Sequence, residues 1–151
     1  MTPTPEAAVI ARLSSLAAVT AIVGTRIYQL KAPQQGATPY VRVERISGIT
    51  DYHTRGADAL QRARIQIDAC AAETDGGDPL ETVIDLAAAI EGDGAGGGLS
   101  GFAGVVLGSP PTVEIVGLYK VNSRQDYEPD ELRLARVTDD YFVWWRPIAG
   151  N

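Results

Sequence analysis

The residues of this chain that could do chemistry include one glycine-rich run, Gly92–Gly101, with the sequence GDGAGGGLSG. Gly92, Gly94 and Gly97 match the G-x-G-x-x-G spacing of dinucleotide-binding turns. In those turns the run follows a strand and opens a helix, so that the helix N-terminus meets the phosphate. Here the run follows a predicted helix and leads towards a strand, and the sequence has no Gly-Lys-Ser/Thr motif. This order favours a flexible linker or loop over a cofactor-binding site.

His53 is the only histidine of the chain. It lies in the polar, turn-rich segment Gly48–Ala59, beside Asp51, Tyr52 and Arg55. A single histidine lacks the partners that a metal site requires, and no motif places a serine or cysteine nucleophile for it to activate. We therefore expect His53 to be a contact residue or a solvated loop side chain.

Cys70 is the only cysteine, so it cannot form an internal disulfide. It lies within a strand pattern, and we interpret it as a buried, unreactive thiol. Together with the glycine run and His53, it leads us to expect a protein that is not an enzyme and that binds no cofactor or metal. A small cofactor-binding or enzymatic domain that uses the glycine run and His53 is kept as an alternative.

The length and charge of the chain restrict its class further. A chain of 151 residues predicts a single domain over residues 1–151. The net charge of -6 argues against binding to the outside of nucleic acid, which requires Lys and Arg to displace counterions. The N-terminus lacks the positive region of a signal peptide, and no stretch approaches the roughly 20 apolar residues of a membrane span. We expect a soluble protein, made in a cytoplasm, with no membrane partner.

The strongest structural pattern is the alternation in Leu60–Ala71, LQRARIQIDACA. A period of two over this length predicts a strand with one face on a core and the other in water. The predicted inward face is small and apolar, which leaves room for a helix, and the outward face is polar. The inward residues are Ala63, Ile65, Ile67 and Ala69, and the outward residues are Arg62, Arg64, Gln66 and Asp68.

Two segments carry the signals of a helix start. Thr4 and Pro5 supply a capping hydroxyl and a proline for the first helical position, and Asp78 and Pro79 repeat the arrangement. Apolar residues then recur at helical spacing, and the second helix is predicted to end at Gly92. The predicted apolar stripes are Val9, Ile10, Leu13 and Leu16 in the first helix, and Leu80, Val83, Ile84 and Ala87, widened by Leu86 and Ile90, in the second.

Further strands and the segments between them complete the predicted sheet. Gly48–Ala59 is predicted to be a long loop that joins two strands of an antiparallel hairpin, and Asn122–Leu134 is predicted to be a polar connection. Pro39–Ser47 is predicted to be a strand with a bulge near Arg45. Gly104–Leu107, Val113–Val121 and Arg136–Arg146 are also predicted to be extended, and Arg26-Ile27-Tyr28 is predicted to be a short strand or an extended link. These elements predict an α+β fold: a two-layer sandwich in which two helices pack on one face of a mainly antiparallel sheet of four to five strands.

Trp144 and Trp145 are adjacent on the last predicted strand, so they point to opposite faces. At least one of them is therefore expected to be exposed in an isolated chain. Exposed large aromatic side chains usually mark a partner surface. In the alternative arrangement, a helix covers one tryptophan and a loop covers the other.

Several short sequence words occur in an order that resembles a known family. They are Val23-Gly24-Thr25-Arg26-Ile27-Tyr28, Ala32-Pro33, Pro39-Tyr40-Val41, Arg45-Ile46-Ser47-Gly48, Arg62-Ala63-Arg64-Ile65-Gln66-Ile67-Asp68, Tyr127-Glu128-Pro129 and Val143-Trp144-Trp145-Arg146. Their order and spacing resemble the tail-completion (tail terminator) family of long-tailed phages, prophages and gene transfer agents. The resemblance spans about Ala7 to Arg146. The glycine run departs from it, because a shorter turn or a non-glycine insert is expected there.

The resemblance implies a structural role in virion assembly without chemistry. Such proteins form a ring, usually hexameric, on the head-proximal end of the tail tube, where they stop the addition of tube subunits and offer a docking surface to the neck. The implied partners are further copies of the chain, the tail tube protein and a neck or stopper protein, while DNA passes through the lumen without specific binding. The implied location is the tail–neck junction of the virion, with assembly in the cytoplasm of a bacterial host.

Two other roles fit the same class of protein. One is a head–tail adaptor or stopper in the neck, and the other is an accessory domain that works as a monomer. For an assembly protein the functional residues are contacts with the next subunit, the tube or the neck. The predicted contact residues are Asp51, Tyr52, His53, Arg55, Arg62, Arg64, Asp68, Tyr127, Glu128, Trp144 and Trp145.

Overall fold

The chain forms a six-stranded sheet and three helices within residues 4–33, 37–53, 56–73, 77–106, 112–128 and 133–148, which the computed structural model describes. For residues 49–53 and 56–59 it describes the backbone. The strand order across the sheet is β1-β2-β3-β6-β5-β4. The strands are β1 (Ile27–Gln29), β2 (Tyr40–His53), β3 (Gly56–Ala72), β4 (Gly104–Val106), β5 (Val113–Glu128) and β6 (Leu134–Pro147). The helices are α1 (Pro5–Ser14), α2 (Ala17–Val23) and α3 (Pro79–Glu91).

The predicted α+β architecture is confirmed in outline, and its details differ. The described sheet has six strands instead of four or five. Its two outer strands have three residues each: β4 lies in the segment predicted to be extended, and β1 lies where a short strand or an extended link was predicted. β1 pairs with β2 in parallel, and the other described pairs are antiparallel, so the sheet is mixed. A third helix, α2, lies between α1 and β1. It has seven residues, too few for an apolar period to predict it.

β3 is a central strand, paired with β2 on one side and with β6 on the other. The alternation in Leu60–Ala71 is confirmed on its inward side, because Ala63, Ile65, Ile67 and Ala69 are all buried. Most of their neighbours across the strand pairs are core residues, so the apolar side chains form rows under the helices. These neighbours are Val41 and Val43 in β2 and Val137, Tyr141 and Val143 in β6. We call this side of the sheet the helix face and the opposite side the open face.

The helices begin where the capping signals predict. The Ala7 N–H donates to Thr4 Oγ1 at 3.2 Å, and the Leu80 N–H donates to Asp78 Oδ1 at 3.0 Å. Each cap satisfies one of the backbone donors that a helix start leaves without a partner. Both helices therefore start one residue after their cap, at Pro5 and at Pro79.

The apolar stripe of α3 is narrower than its sequence suggests. Val83, Leu86 and Ile90 are buried against the sheet, whereas Leu80 and Ile84 are 38% and 44% exposed. The prediction that the last two belong to the core-facing stripe is therefore wrong. The helix contacts β3 and β6 at the centre of the sheet, which leaves one of its flanks uncovered.

The two segments predicted to be polar connections are largely strands. β2 and β3 continue far beyond the core and stay paired as far as His53 and Gly56, so the predicted loop Gly48–Ala59 is a long hairpin arm. Likewise, β5 runs on to Glu128 and pairs with the start of β6, so the connection predicted from Asn122 is also mostly strand. We call these the β2–β3 arm (residues 47–53 and 56–64) and the β5–β6 arm (residues 119–128 and 134–141). The register shift between Arg45 and Ser47 confirms the predicted bulge.

α1 and α2 form a bent pair, with 86° between them, that packs on the helix face. Val9, Leu13, Val19 and Val23 of this pair are fully buried. Within the described ranges, no single helix is long and apolar enough to cross a membrane. The bent pair reaches that threshold by length and composition only.

Candidate functional site

The glycine run forms an ordered cap on the C-terminal end of α3. The Leu99 N–H donates to the Ile90 carbonyl at 2.8 Å, and the Ser100 N–H donates to the Glu91 carbonyl at 3.1 Å. These bonds satisfy carbonyls that the end of a helix leaves without intrahelical partners. Leu99 is fully buried and anchors the loop in the core. Of the two predicted forms, a flexible linker or a loop, the structure shows a loop, and this loop is packed against the end of α3.

The glycines are needed because the backbone of this loop passes very close to itself. A Cβ at Gly98 would lie 2.7 Å from the Glu91 carbonyl, and a Cβ at Gly101 would lie 2.4 Å from the Gly94 carbonyl oxygen. Gly101 also has a φ of +81°, which residues with a side chain rarely adopt. Arg12 of α1 fastens the loop from outside, donating to the Gly96 carbonyl at 2.9 Å.

The N–H groups that could have cradled a phosphate already have an acceptor within the chain. Asp93 Oδ1 accepts from the Ala95 N–H at 2.9 Å and from the Gly97 N–H at 3.1 Å. These bonds lower the pKa of the Asp93 carboxyl, with the bond from Ala95 contributing most. A bound anion would have to displace this carboxylate, so the geometry disfavours the cofactor-binding alternative.

His53 lies at the far end of the β2–β3 arm, where its backbone pairs with Gly56. Asp51 and Tyr52 precede it in the same strand, and Arg55 lies outside the described residues. Over the described ranges, no cluster of three or more His, Cys, Asp or Glu side chains could hold a metal ion.

Cys70 is buried on the open face beside Tyr40, its cross-strand neighbour in β2. Burial raises the pKa of the Cys70 thiol to about 11, so the nucleophilic thiolate is scarce at neutral pH. The pKa of Tyr40 rises to about 12, chiefly because of its own burial. The predicted buried thiol is confirmed.

The open face carries a network of buried acids that arginines cover. Asp68 is buried, although the described helices lie on the other face, because Arg42 lies over it and donates from Nε at 2.9 Å. Thr138 donates to the second oxygen of the same carboxylate at 2.7 Å. Asp140 is buried in the same way beneath Arg64, whose Nη2 donates to it at 2.6 Å. Each carboxylate is therefore neutralised by an arginine from a neighbouring strand.

An aromatic cluster lies next to this network on the open face. The ring of Trp144 makes edge contacts with Tyr119, at 6.3 Å between centroids, and with Phe142, at 5.9 Å. Tyr119 is 53% exposed and Phe142 is 37% exposed. Gly117 leaves space between Tyr119 and Trp144, since a Cβ there would lie 3.1 Å from the tyrosine ring. Aromatic and arginine side chains are enriched at the centres of protein interfaces.

The β5–β6 arm carries a third polar group, at the end of the sheet opposite to the β2–β3 arm. Arg136 donates to Asp126 at 3.0 Å and to Glu128 at 2.6 Å, across the β5–β6 pair. Burial lowers the pKa of the Arg136 guanidinium, whereas its hydrogen bonds to Asp126 and Glu128 raise it. The net result is a raised pKa. Tyr127 lies between the two acids and is about half exposed. The arm is therefore fixed by cross-strand ion pairs.

The predicted contact residues other than Arg55 lie in four places: the open face, the helix face and the two arms. Arg62, Arg64, Asp68 and Trp144 lie together on the open face, and Asp68 is covered by its arginine. Trp145 lies on the helix face and is 6% exposed, so it belongs to the core and cannot offer a free surface in the single chain. The remaining residues divide between the two arms: Asp51, Tyr52 and His53 on the β2–β3 arm, and Tyr127 and Glu128 on the β5–β6 arm.

The open face contains four further residues that were not among the predicted contact residues: Tyr119, Phe142, Arg42 and Arg136. A bulge between Ile115 and Gly117 shifts the alternation of β5, so that Tyr119 changes side relative to a regular strand. The polar alternation of β3 was a usable signal for Arg42, because an acid on one strand commonly faces a base on its neighbour. Locating that base required the register, which the sequence does not give.

The chain is similar in sequence and in fold to known proteins. The family model described as Tail completion protein gp17 matches residues 7–145. A comparison with curated proteins gives no significant match. Among solved structures, a chain of "Virion of native gene transfer agent (GTA) particle" is similar, with a TM-score of 0.60, 19% identity and 94% of each chain covered. At that identity the likeness shows a shared fold. Because the family model covers nearly the whole chain, this protein belongs to the tail completion protein gp17 family.

Proposed function

We propose that this protein forms a ring that caps the head-proximal end of a tail tube, ends tube polymerisation and provides the surface to which the neck docks. The observation that carries the proposal is the family match over residues 7–145. Membership of a tail completion family indicates a structural part of a phage-type tail. The fold shared with a chain of a gene transfer agent virion supports a place in such a particle.

A closed ring requires two different complementary patches on each subunit. The two lateral edges of the sheet supply candidates that differ in character. At one edge of the sheet, β2 continues past the short strand β1 and has no further described partner on that side. Ile46 is exposed at the bulge of β2. On the other side, β5 runs past its described pairing with β4, and it exposes Val121 and Tyr127. Bulges in both strands limit uncontrolled edge-to-edge pairing, so a side-chain contact suits these edges.

The open face adds a central contact area to this arrangement. Tyr119, Phe142 and Trp144 are anchored to one another, so their rings lose little side-chain entropy when a partner covers them. Arg62 and Arg64 lie beside them on β3 and give the surface a charged margin. This mixture of aromatic rings and arginines is the composition that interface hot spots favour. We assign the open face to contact with another subunit or with the tube.

The two arms point to opposite ends of the sheet, which suits a ring with one side on the tube and the other towards the neck. We assign the β2–β3 arm to a tube or neighbour contact because β2 and β3 stay paired as far as His53 and Gly56, past Gln61, where the described pairing of β3 with β6 ends. The β5–β6 arm is then free for the neck protein. The net charge of -6 is compatible with a lumen through which DNA passes without sticking, since like charges repel at short range.

The proposal is tested by tube assembly in the presence of the purified protein. Tail tube subunits polymerise with and without it, and tube lengths are measured on electron micrographs. A terminator gives shorter tubes that stop growing and carry extra density at one end. Unchanged tube lengths together with binding to a neck protein would instead indicate a head–tail adaptor or stopper. Unchanged lengths with a monomer in sedimentation would indicate an accessory domain.

The enzymatic alternative predicts a different sensitivity. A site that used His53 would lose its function in His53→Ala, whereas ring formation is expected to stay largely intact, because one side chain of a long arm contributes little to a closed ring. The matched variant is Thr50→Ala, another polar residue of the same arm. Loss of the ring in His53→Ala, with Thr50→Ala unaffected, would contradict our assignment.

A further inference from the structure

A second surface lies on the helix face, away from the aromatic cluster. It is a cleft of about 260 Å³ between the uncovered flank of α3 and the β5–β6 arm. Ile84, Ala87 and Val137 provide apolar walls, and the alanine keeps the cleft open where a larger residue would fill it. The cleft exists because α3 covers the centre of the sheet while β5 runs on past it.

The cleft ends at a buried acid that lacks a full set of partners. Asp139 lines it and is only 4% exposed. Ser123 hydrogen-bonds to the carboxylate, and Asp139 Oδ1 has no partner. The other acid of the cleft, Glu91, already forms an ion pair with Lys120 at the rim. The unsatisfied acceptor in this cleft is therefore Asp139, and buried carboxylates without compensation are unfavourable.

Elsewhere in the same sheet an arginine neutralises each of two buried acids, although Asp140 Oδ1 also has no hydrogen-bond partner. On the open face, Asp68 and Asp140 are as buried as Asp139, and an arginine from a neighbouring strand lies over each of them. On the helix face, the described residues place no arginine over Asp139. The walls of the cleft are apolar, like the surface that an arginine stem prefers, and its end is acidic, like the partner of a guanidinium.

We propose that this cleft receives an arginine side chain from a protein partner. The stem lies against Ile84 and Ala87, and the guanidinium forms an ion pair with the Asp139 carboxylate at the end of the cleft. The side chain of Gln125 offers a further acceptor near the same position. Arginine suits several acceptors better than lysine does, because its planar fork carries five donors and is more weakly hydrated.

We assign the occupant to a protein because both elements that form the cleft, α3 and β5, also expose apolar side chains. Ile84 on the rim and Leu80 one turn before it are both exposed, and Val121 is exposed on the facing strand. A free amino acid would leave these apolar side chains in water and would bring its own carboxylate towards Glu91. A protein segment with apolar residues on either side of the arginine would cover these side chains. Binding of an arginine in this cleft does not depend on which face of the subunit closes the ring.

The test is a titration of the whole protein followed by two-dimensional amide NMR. The probes are acetyl-Leu-Arg-Leu-methylamide, the same peptide with citrulline or lysine in place of arginine, and free arginine. We expect saturable shifts at the amides of Ala88, Gly92, Ser123 and Gln125, with affinity at least tenfold higher for the arginine peptide than for the citrulline peptide or for free arginine. The lysine peptide is expected to lie between them.

Two variants and a control locate the binding. Asp139→Asn is expected to weaken the arginine peptide at least tenfold, and Ala87→Met is expected to do the same by filling the cleft without altering a charge. Asp85→Asn removes an exposed acid of the same helix and is expected to change the affinity less than twofold. Equal affinity in Asp139→Asn and the wild type, equal binding of citrulline and arginine peptides, or shifts confined to other surfaces would overturn the proposal. Free arginine binding as tightly as the peptide would also overturn it, in favour of a small-molecule site.

Discussion

Asp139 and Asp140 are adjacent in β6 and point to opposite faces of the same sheet, at 4% and 5% exposure. Asp140 is held by Arg64, and the open face around it is built from cross-strand ion pairs and exposed aromatic rings. Asp139 lies under a helix, and one of its oxygens has no partner. Among the described residues, the helix face thus leaves Asp139 without an arginine, whereas Asp68 and Asp140 of the open face each pair with one, although Asp140 Oδ1 also lacks a hydrogen-bond partner.

This difference separates the residues that hold the fold from those available for contacts. On the helix face, side chains are fully buried and their removal leaves a cavity. On the open face, the aromatic rings are partly in water already, so their removal affects the single chain little and a partner surface much. Substitutions on the two faces should therefore separate stability from assembly.

The largest effect is expected at the centre of the helix face. Ile65 is fully buried in β3, and Ile65→Ala should lower the free energy of unfolding by about 3–4 kcal/mol, through lost burial and the cavity that remains. Urea denaturation followed by circular dichroism measures it. Ile65→Val is the matched control, with an expected loss of about 1 kcal/mol. A loss below about 1 kcal/mol for the alanine variant would show that the core can collapse around the site.

The next largest effect is expected at the buried acid of the open face. Asp68→Ala leaves Arg42 and Thr138 without their shared acceptor, and we expect a loss of about 2–3 kcal/mol. Part of the loss is offset because Arg42 keeps some contact with water. Asp68→Asn retains an acceptor for Thr138 and should lose about half as much. Equal stability of Asp68→Ala and the wild type would mean that the arginines do not hold this face together.

The glycine cap allows close approach and backbone conformation to be measured separately. Gly94 has a φ of +77° with open space around a Cβ, whereas Gly101 has a φ of +81° and a backbone oxygen at 2.4 Å. We expect Gly94→Ala to cost about 1 kcal/mol and Gly101→Ala about 2–3 kcal/mol, measured by thermal or urea unfolding. Similar small losses in both variants would mean that the loop shifts freely and is a flexible linker after all.

The aromatic cluster should show the opposite balance. Phe142→Ala is expected to lower stability by no more than about 1.5 kcal/mol, because the ring is partly exposed and its main partner is Trp144. The same change should abolish assembly on tail tubes, as scored by tube length. The control is Ile65→Val, with a similar loss of stability and normal assembly expected. Normal tube capping by Phe142→Ala would remove the open face from the contact surface.

The smallest effect on stability is expected at Asp139. Burial raises the pKa of its carboxyl above the usual 3.8, so the folded state holds this proton more tightly than the unfolded state does. Its contribution to stability is therefore present below about pH 3.8 and is lost as the pH rises through the raised pKa. Asp139→Asn does not titrate and should equal or exceed the wild type in stability at neutral pH, with its advantage growing over that window. A variant clearly less stable at neutral pH would mean that the cleft already satisfies the carboxylate.

The sequence was informative wherever a local pattern decides the structure. The two helix caps and the inward side of β3 depend on neighbouring residues only, and they were predicted correctly. Parts of the two arms were mistaken for connections because the segments Gly48–Ala59 and Asn122–Leu134 lack period-two apolar alternation. Cross-strand pairs such as Arg136 with Asp126 and Glu128 stabilise them instead, and such pairs depend on register.

Burial of polar and aromatic residues was the least predictable feature of the candidate site. Asp68 looks solvent-facing in its strand, and it is covered only because Arg42 and Thr138 come from positions 26 and 70 residues away in the chain. Trp145 looks as available as Trp144 until the helix layer is placed over one face. The glycine run is ambiguous for a different reason, since glycine allows flexibility and also permits the tight backbone contacts found here.

The central claim is that copies of this chain close into a ring at the end of a tail tube. Electron microscopy of the purified protein, alone and mixed with tail tubes, tests it most directly. We expect a ring with a central hole, either free in solution or as density at one end of each tube. Isolated single-chain particles in both preparations, with bare tube ends, would contradict it.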